Sequence, residues 1–296
     1  MPEHELRLLA LDGGGVRGLS TLQILKQLMD LVDPESPPKP CDYFDMIEGT
    51  STSGLIAIML GRLQMTVDDC IGAYVSLSDR VFQKRRHRVT IKGNVQGQFD
   101  SVELERAIKE IIVSQGLEED TLLKDSPDAK CKVLVCATSK ETGDTVRLAC
   151  YRSPRGNNCS ELPRYGRLAE RRRQPHPSSI PLPSVTLTKD SSTAQQERTT
   201  RYTRCGTRLK TYGHPARSKR ASSRRRRLRR GSVGISRGLD DKGRYYRFNV
   251  LRGLEDIGLE ESKRKNEIIA ATDRYVASQA VFKQMKACGN SLADKQ

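Results

Sequence analysis

The chain has 296 residues, enough for one large domain or two small domains with a hydrophobic core. It contains no run of about 18 apolar residues and no apolar signal region at its start, so we expect a cytoplasmic protein without a membrane-spanning helix. The net charge is +16, but residues 160–230 hold 20 Lys and Arg against four Asp and Glu, which accounts for the whole imbalance and argues against a chain-wide basic surface.

The first predicted element is a buried strand over residues 6–11, followed directly by a glycine-rich turn over residues 12–18. Apolar residues at helical spacing then predict a helix over residues 19–32. A strand, a glycine turn and a helix start together present free backbone N–H groups, which bind negative charge. The sequence therefore predicts an anion-binding turn near the N-terminus.

Three interpretations of this turn remain open. Gly13, Gly15 and Gly18 fit the G-x-G-x-x-G pattern of a dinucleotide site. The same N–H groups fit an oxyanion hole for acyl transfer, and a purely structural glycine turn is the third possibility. The dinucleotide pattern requires an acidic residue about 20 residues on, at the end of a second strand, whereas residues 33–38 are typical of a loop.

A second turn lies within residues 46–60, which read as a short apolar strand, a turn of small residues and an apolar helix. Ser51 lies at the tip of the turn, as in a nucleophile elbow, where a sharp strand-to-helix turn exposes a serine hydroxyl. The flanking small residues of the predicted elbow are Gly49, Thr50, Thr52 and Ser53. Ser53 stands where the G-x-S-x-G pattern has its last glycine, so a Ser- and Thr-rich loop before a buried helix is the alternative.

Further helices and strands are indicated on both sides of the basic segment. Thr66, followed by Asp68 and Asp69, predicts a capped helix start, and that helix should run to about residue 82. The remaining predicted elements are a helix that begins with a capping box at residues 100–103, strands at 132–138, 145–151 and 244–250, and one long helix over 266–288 with Ile269, Val276, Ala280 and Phe282 on its apolar face.

Histidine and cysteine give no sign of a triad or a metal site. The four histidines, at positions 4, 87, 176 and 214, stand in no catalytic-looking context, so a Ser-His-Asp triad has no candidate histidine. The eight cysteines lack Cys-x-x-Cys spacing and are interpreted as reduced thiols. We therefore expect no zinc site.

With both turns placed, the chain resembles the patatin-like phospholipases, especially the fungal members, over about residues 1–157 and 239–296. The resemblance rests on the turns at 12–18 and 49–54 and on the stretches 132–156, 246–250 and 253–256. It implies an α/β fold, a three-layer α/β/α sandwich with a nucleophile elbow. It also implies hydrolysis of lipid or phospholipid esters at a membrane surface, without a metal or nucleotide cofactor.

The resemblance assigns roles to the two turns. Members of this family use a Ser–Asp dyad without histidine, so Ser51 would be the nucleophile. The glycine turn would form the oxyanion hole through backbone N–H groups near Gly14 and Gly15. The full set of candidate residues in that turn is Gly13, Gly14, Gly15, Val16, Arg17 and Gly18. For Arg17, three roles are open: orienting the turn, adding positive charge to it, or lying on the surface as a plain arginine.

The catalytic aspartate of the family is missing from this chain. It comes from a D-G-[GA] motif late in the domain, and no such motif follows Ser51. The one Asp-Gly pair, Asp12-Gly13, belongs to the glycine turn. Because a serine without an adjacent base is a weak nucleophile, we expect the chain as written to be inactive or crippled.

Residues 158–238 form a basic Arg-, Ser- and Pro-rich segment without a credible helix or strand pattern, and we expect them to be disordered. They separate an N-terminal part of the domain, 1–157, from a C-terminal part, 239–296. Regrouping possible codons of residues 165–174 by one base spells I-W-E-A-C-R-A-T-S-A, and the same offset at residues 191–202 allows V-D-G-T-T-G-A-N-N-P-V. We interpret the segment as an out-of-frame translation that hides the Asp-Gly motif.

A different class of function is the alternative. If the basic segment is genuine, the chain could be a non-enzymatic protein that binds nucleic acid or an anionic membrane through it. Under the hydrolase interpretation no specific nucleic acid partner is expected. The two classes differ in the salt dependence of binding.

Overall fold

A six-stranded sheet forms the centre of the computed structural model, which describes residues 6–82, 101–138, 145–151, 184–190, 244–250 and 252–293. For residues 184–190 the description covers the backbone. The strands are β1 (Leu6–Leu11), β2 (Met46–Thr50), β3 (Lys132–Thr138), β4 (Thr145–Ala149), β5 (Ser184–Asp190) and β6 (Tyr245–Asn249). Their order across the sheet is β4-β3-β2-β1-β5-β6.

The sheet is mixed, with a parallel centre. Strands β1, β2 and β3 run parallel to one another, while β4 is antiparallel to β3 and β5 is antiparallel to β1. The helices are α1 (Gly18–Val32), α2 (Pro40–Tyr43), α3 (Thr52–Ala57), α4 (Val67–Val81), α5 (Ser101–Ser114), α6 (Lys265–Val276) and α7 (Gln279–Ala293). A π-helical turn, Ile58–Arg62, extends α3.

Both faces of the central strands are buried. On one face Leu9, Ile47 and Val133 join the main core with apolar residues of the helices, among them Leu22 and Ile56. Leu8, Met46 and Leu134 alternate with those residues along the same strands, so they lie on the opposite face, and they are buried too. Burial on both faces explains why these strands read as continuous apolar runs rather than alternating ones.

The register of the central strands brings the two predicted turns together. Leu11 at the end of β1 lies opposite Gly49, and Thr50 at the end of β2 lies opposite Cys136 of β3. The carboxyl ends of parallel strands share one edge of the sheet, where ligands of open α/β sheets bind. The glycine turn after β1 and the turn after β2 are therefore neighbours.

Most of the predicted elements are confirmed within a residue or two. Strands β1, β3, β4 and β6 and helices α1, α4 and α5 all lie where the sequence predicts them. The side chain of Thr66 accepts a hydrogen bond from the backbone N–H of Asp69 at 3.1 Å, as a helix cap does. The cap proposed for α5 at Asp100 falls outside the described residues.

The single long helix predicted over residues 266–288 is wrong, because two helices occupy this stretch. Helix α6 ends at Val276 and α7 begins at Gln279. Between them the backbone N–H of Ser278 turns back to the carbonyl of Tyr275, which is also the acceptor of the Ser278 hydroxyl at 2.7 Å. A serine that bonds to nearby backbone in this way competes with the helical ladder.

Two further expectations are corrected by the structure. Ala280 and Phe282, assigned to the apolar face, are exposed, and the buried residues of α7 are Met285, Cys288, Gly289 and Leu292.

The basic segment contains a strand, β5, although no strand was expected there. Val185 and Leu187 alternate with threonine, as in a strand. This alternation is short and lies within an Arg-rich stretch, so it did not predict a strand. The remainder of 158–238 lies outside the described residues.

Within the described ranges, no helix has both the length and the apolar character needed to cross a membrane.

Candidate active site

Ser51 lies on a sharp turn between β2 and α3. Its backbone adopts φ 62° and ψ −125°, a left-handed region that is costly for a residue with a side chain. Gly49 makes the turn possible, because a Cβ at that position would collide with the carbonyl of Ser53. Gly54 then lets the helix pack on the sheet, since its missing Cβ would lie 2.6 Å from a methyl group of Val135.

Ser53 fits the turn although a glycine ends the familiar pattern. Its side chain is fully buried, and its hydroxyl donates a hydrogen bond of 2.8 Å to the backbone carbonyl of Asp12. A buried hydroxyl is tolerated when it is hydrogen-bonded in this way. The departure from the pattern therefore ties the turn after β2 to the start of the glycine turn.

Gly13 brings the glycine turn against Ser51. A Cβ added to Gly13 would lie 2.6 Å from the carbonyl oxygen of Thr50 and 2.9 Å from the Cβ of Ser51. Those distances leave no room for a side chain. The two turns thus approach each other as closely as backbone allows, with Ser51 at their junction.

Gly15 is fixed from several directions. It has φ 58°, its N–H donates to the Thr52 hydroxyl at 3.0 Å, and its carbonyl accepts from the Tyr74 hydroxyl at 2.5 Å. The next residue, Val16, donates its N–H to the carbonyl of Leu259 at 2.9 Å. The N–H groups of Gly15 and Val16 are therefore engaged within the fold.

Two N–H groups of the turn, those of Gly13 and Gly14, make no hydrogen bond within the described residues. The N–H of Arg17 bonds the Gly14 carbonyl at 3.2 Å, and that of Gly18 bonds Gly15 and Val16 carbonyls at the start of α1. Of the six candidate oxyanion residues, Gly13 and Gly14 have the N–H groups left to receive a ligand.

Arg17 is buried rather than on the surface. Its Nε donates to the carbonyl of Ile257 at 2.8 Å, and its Nη2 reaches the carbonyls of Ile257 and Glu255. Burial lowers the pKa of the guanidinium, and the charges of Glu255 and Glu261 act in the opposite direction. The side chain therefore connects the glycine turn to the loop before α6.

The two carboxylates next to the turns in sequence are already engaged. Asp12 accepts from Arg247 at 3.0 Å. Glu48 is buried and accepts from the thiol of Cys136 at 3.3 Å, and burial together with this carboxylate raises the pKa of that thiol to about 12. Within the described residues, no group of three or more His, Cys, Asp or Glu side chains could hold a metal ion.

Sequence reasoning found the two turns but missed their supports. Tyr74 has no local signal, because a tyrosine on the apolar face of a helix reads as ordinary core. The carbonyls of Ile257 and Leu259 are backbone groups about 240 residues away from the turn, so no motif marks them. The Asp-Gly motif that regrouping restores at residues 191–202 lies outside the described residues.

Comparison with known proteins gives a consistent answer. A family model described as patatin-like phospholipase matches residues 9–282. The chain is 32% identical to phospholipase A I of Arabidopsis thaliana over 162 residues, 47% of this chain and 12% of that protein. It is 32% identical to calcium-independent phospholipase A2-gamma of Rattus norvegicus over 151 residues, 50% of this chain and 18% of that protein.

A bacterial relative is similar over a like stretch. The chain is 30% identical to the cGAMP-activated phospholipase of Vibrio cholerae over 155 residues, 48% of this chain and 40% of that protein. In all three comparisons the chain covers well under two thirds of the relative.

Proposed function

Because this chain belongs to the patatin-like phospholipase family, we propose that its two turns form the site of a serine acyl hydrolase acting on lipid esters, with Ser51 as the nucleophile. The observation that carries the proposal is the contact between the turns. Ser51 has a positive φ at the tip of a strand-to-helix turn, and Gly13 of the glycine turn packs directly on its Cβ. Strain of this kind at a serine is typical of functional sites.

The chemistry follows from the groups that meet at that junction. The Ser51 Oγ would bond to the acyl carbon of an ester while its proton passes to a base. The carbonyl oxygen becomes an oxyanion, which the N–H groups of Gly13 and Gly14 would stabilise. The bond to the leaving alcohol then breaks and the alcohol takes up a proton. Water hydrolyses the acyl-serine, releasing the fatty acid and restoring the hydroxyl.

The base is the part that the chain as written does not supply. We propose that the dyad aspartate belongs to the Asp-Gly motif that one-base regrouping restores at residues 191–202. Without it, the site keeps Ser51 and the proposed oxyanion donors but lacks the aspartate that would accept the serine proton. Loss of one such partner costs several orders of magnitude in rate. We therefore propose that the printed chain is inactive or nearly so.

Substrate and location follow from the same assignment. We propose lipid or phospholipid esters presented at a membrane surface, because the relatives are named phospholipases. The six cysteines of the described residues are free thiols, all buried. Free thiols suit a reducing compartment, which supports the cytoplasm, with peripheral contact to membranes.

The decisive experiment compares two versions of the gene. The transcript is sequenced across codons 155–240, and both the printed chain and the regrouped chain are expressed, each with and without Ser51→Ala. Hydrolysis of phospholipid vesicles and labelling by an alkyl fluorophosphonate are measured. We expect the regrouped chain to hydrolyse lipid and the printed chain to be at least about 1,000-fold slower. Activity that survives Ser51→Ala would overturn the proposal.

A second candidate function is favoured by the charge distribution. If the transcript encodes the basic segment as printed, its excess of 16 positive charges would bind anionic vesicles or nucleic acid. Such binding weakens steeply with salt because counterions are released. Sedimentation with anionic vesicles at about 50 and 200 mM salt tests it, with neutral vesicles as the control. Binding that ignores salt would reject this function.

A further inference from the structure

The glycine turn needs external support to act as an oxyanion hole. Three consecutive glycines have more backbone freedom than any other sequence, so their N–H groups would point in many directions unless neighbours fix them. Oxyanion donors stabilise a transition state because their orientation is set before the reaction. Residues outside the turn must therefore set the orientation of its N–H groups.

One set of supports belongs to the N-terminal part of the chain. Thr52 accepts the N–H of Gly15, Tyr74 donates to the Gly15 carbonyl, and Ser53 donates to the Asp12 carbonyl. These contacts fix the peptide groups at both ends of the turn on the side that faces α3 and α4.

The other set comes from residues 254–262, which we call the brace. The carbonyl of Leu259 accepts the N–H of Val16, and the same residue leaves no room for a side chain on Gly15. The Ile257 carbonyl accepts from the guanidinium of Arg17. The brace thus contacts three successive residues of the turn.

The brace is itself firmly held. Leu254 and Ile257 are buried in the core. The carboxylate of Glu261 accepts the N–H of Gly258 at 2.5 Å, and Arg264 donates to the carbonyl of Asp256 at 2.7 Å. Its carbonyl groups therefore have fixed directions, as a support for the turn requires.

We propose that the brace sets the orientation of the Gly13 and Gly14 N–H groups and that Arg17 is the positioning residue through which it does so. The proposal rests on the proposed function, since it explains how that function's oxyanion hole is held. The reason for assigning it to Arg17 is geometric. Two nitrogens of one planar guanidinium bond a single carbonyl, which fixes direction as well as distance.

Amide hydrogen exchange tests the support directly and does not require catalysis. In Arg17→Met we expect the Val16 N–H to exchange at least about tenfold faster, as loss of roughly one hydrogen bond allows. Arg17→Lys, which keeps the charge and one donor, should lie between. Arg252→Met, an exposed arginine next to the brace, is the matched control and should leave exchange unchanged.

Labelling of Ser51 by an alkyl fluorophosphonate, measured in the regrouped chain, tests the consequence for the site. We expect Arg17→Met to lower the maximal labelling rate about tenfold or more, with the half-saturating concentration unchanged, and Arg17→Lys to restore part of the rate. If the substitution only destabilised the fold, the fraction of folded protein would fall, and the folded molecules would be labelled at the parent's rate. Circular dichroism reports that fraction.

The outcomes separate this inference from the proposed function. If Ser51 of the regrouped chain is not labelled, the proposed function fails, and the exchange rates still decide the inference. If labelling occurs but Arg17→Met matches the parent in both rate and exchange, the brace has no positioning role. If Arg17→Met does not fold, Glu261→Ala replaces it, because that side chain is 41% exposed and fixes the brace rather than the core. Unchanged Val16 exchange in Glu261→Ala would overturn the proposal.

Discussion

At the scale of single residues, the site depends on atoms that are absent as much as on those present. Gly13 leaves space that backbone of the other turn fills, and Gly49 leaves space for the carbonyl of Ser53 within its own turn. Ser53 and Thr52 then connect the two turns through hydroxyl groups. Small residues therefore let the two turns come close together and also supply the hydrogen bonds between them.

Replacing Gly13 by alanine should separate the two turns. The new methyl group would lie 2.6 Å from the Thr50 carbonyl, so either turn must move. We expect a loss of about 1–3 kcal/mol in the free energy of unfolding and, in the regrouped chain, a strong fall in Ser51 labelling. Urea unfolding and fluorophosphonate labelling measure the two effects.

Gly72→Ala is the control for that substitution. Gly72 lies in α4 with no atom within 4 Å of its missing Cβ. Alanine there should raise stability by about 0.5–1 kcal/mol, because glycine is unfavourable inside a helix. Equal effects of the two alanine substitutions would contradict the packing argument at Gly13.

Ser53 offers a second prediction at this scale. Ser53→Ala removes the hydrogen bond to the Asp12 carbonyl and should cost about 1 kcal/mol. Ser53→Gly, which restores the usual pattern, should cost at least as much, because it also adds backbone freedom to the unfolded chain. Urea unfolding of both variants is the measurement. A glycine variant as stable as the parent would show that the serine hydroxyl contributes nothing.

At the scale of elements, the sequence predicted those helices, strands and turns that are determined by residues a few positions apart. Strand β1, the turn at Ser51 and the cap of α4 at Thr66 were all found, because apolar runs, small residues and capping residues act within a few positions. The break between α6 and α7 was missed, since only the turn of Ser278 back to Tyr275 separates two stretches of similar composition. Strand β5 was missed because its pairing with β1 is a contact between distant parts of the chain.

The helix cap at Thr66 gives the prediction for this scale. Thr66→Ala removes the acceptor for the Asp69 N–H and should lower the free energy of unfolding by about 1 kcal/mol. Thr66→Ser keeps the hydroxyl and should lie close to the parent. Thermal or urea unfolding distinguishes them. A serine variant as unstable as the alanine variant would assign the effect to the methyl group instead of the cap.

At the scale of the whole molecule, the two turns of the candidate site were predictable from the sequence, and the residues that support them were not. The two turns are motifs, and the parallel register of β1 and β2 brings them together. The brace and Tyr74 were not predictable, because they act through backbone carbonyls and a buried hydroxyl far away in sequence. The out-of-frame interpretation of residues 160–230 stays a prediction.

Buried thiols predict how stability changes with pH. Burial raises the pKa of Cys41 to about 11, and burial with Glu48 raises that of Cys136 to about 12, from an ordinary value of 9.0. Below pH 9 both folded and unfolded states keep these protons. Above pH 9 the unfolded state releases them first, so the free energy of unfolding should fall as pH rises towards 12.

A matched variant isolates one thiol in that experiment. Cys136→Ala should make the fall between pH 9 and 11 shallower, by at most about 1.4 kcal/mol per pH unit. Urea unfolding at several pH values gives the slopes. An identical slope in the variant would mean that this thiol is not protected by the fold.

The distance along the chain between the glycine turn and its brace has a consequence for how the protein is made. Arg17 and Ile257 are 240 residues apart, so the turn leaves the ribosome long before its support is synthesised. At typical elongation rates that interval is roughly 10–50 seconds. Throughout it the nascent chain carries Ser51 beside a glycine turn that lacks the contacts of the brace. A message truncated between codons 54 and 254 would therefore yield a polypeptide that contains both turns but not the brace that contacts the glycine turn.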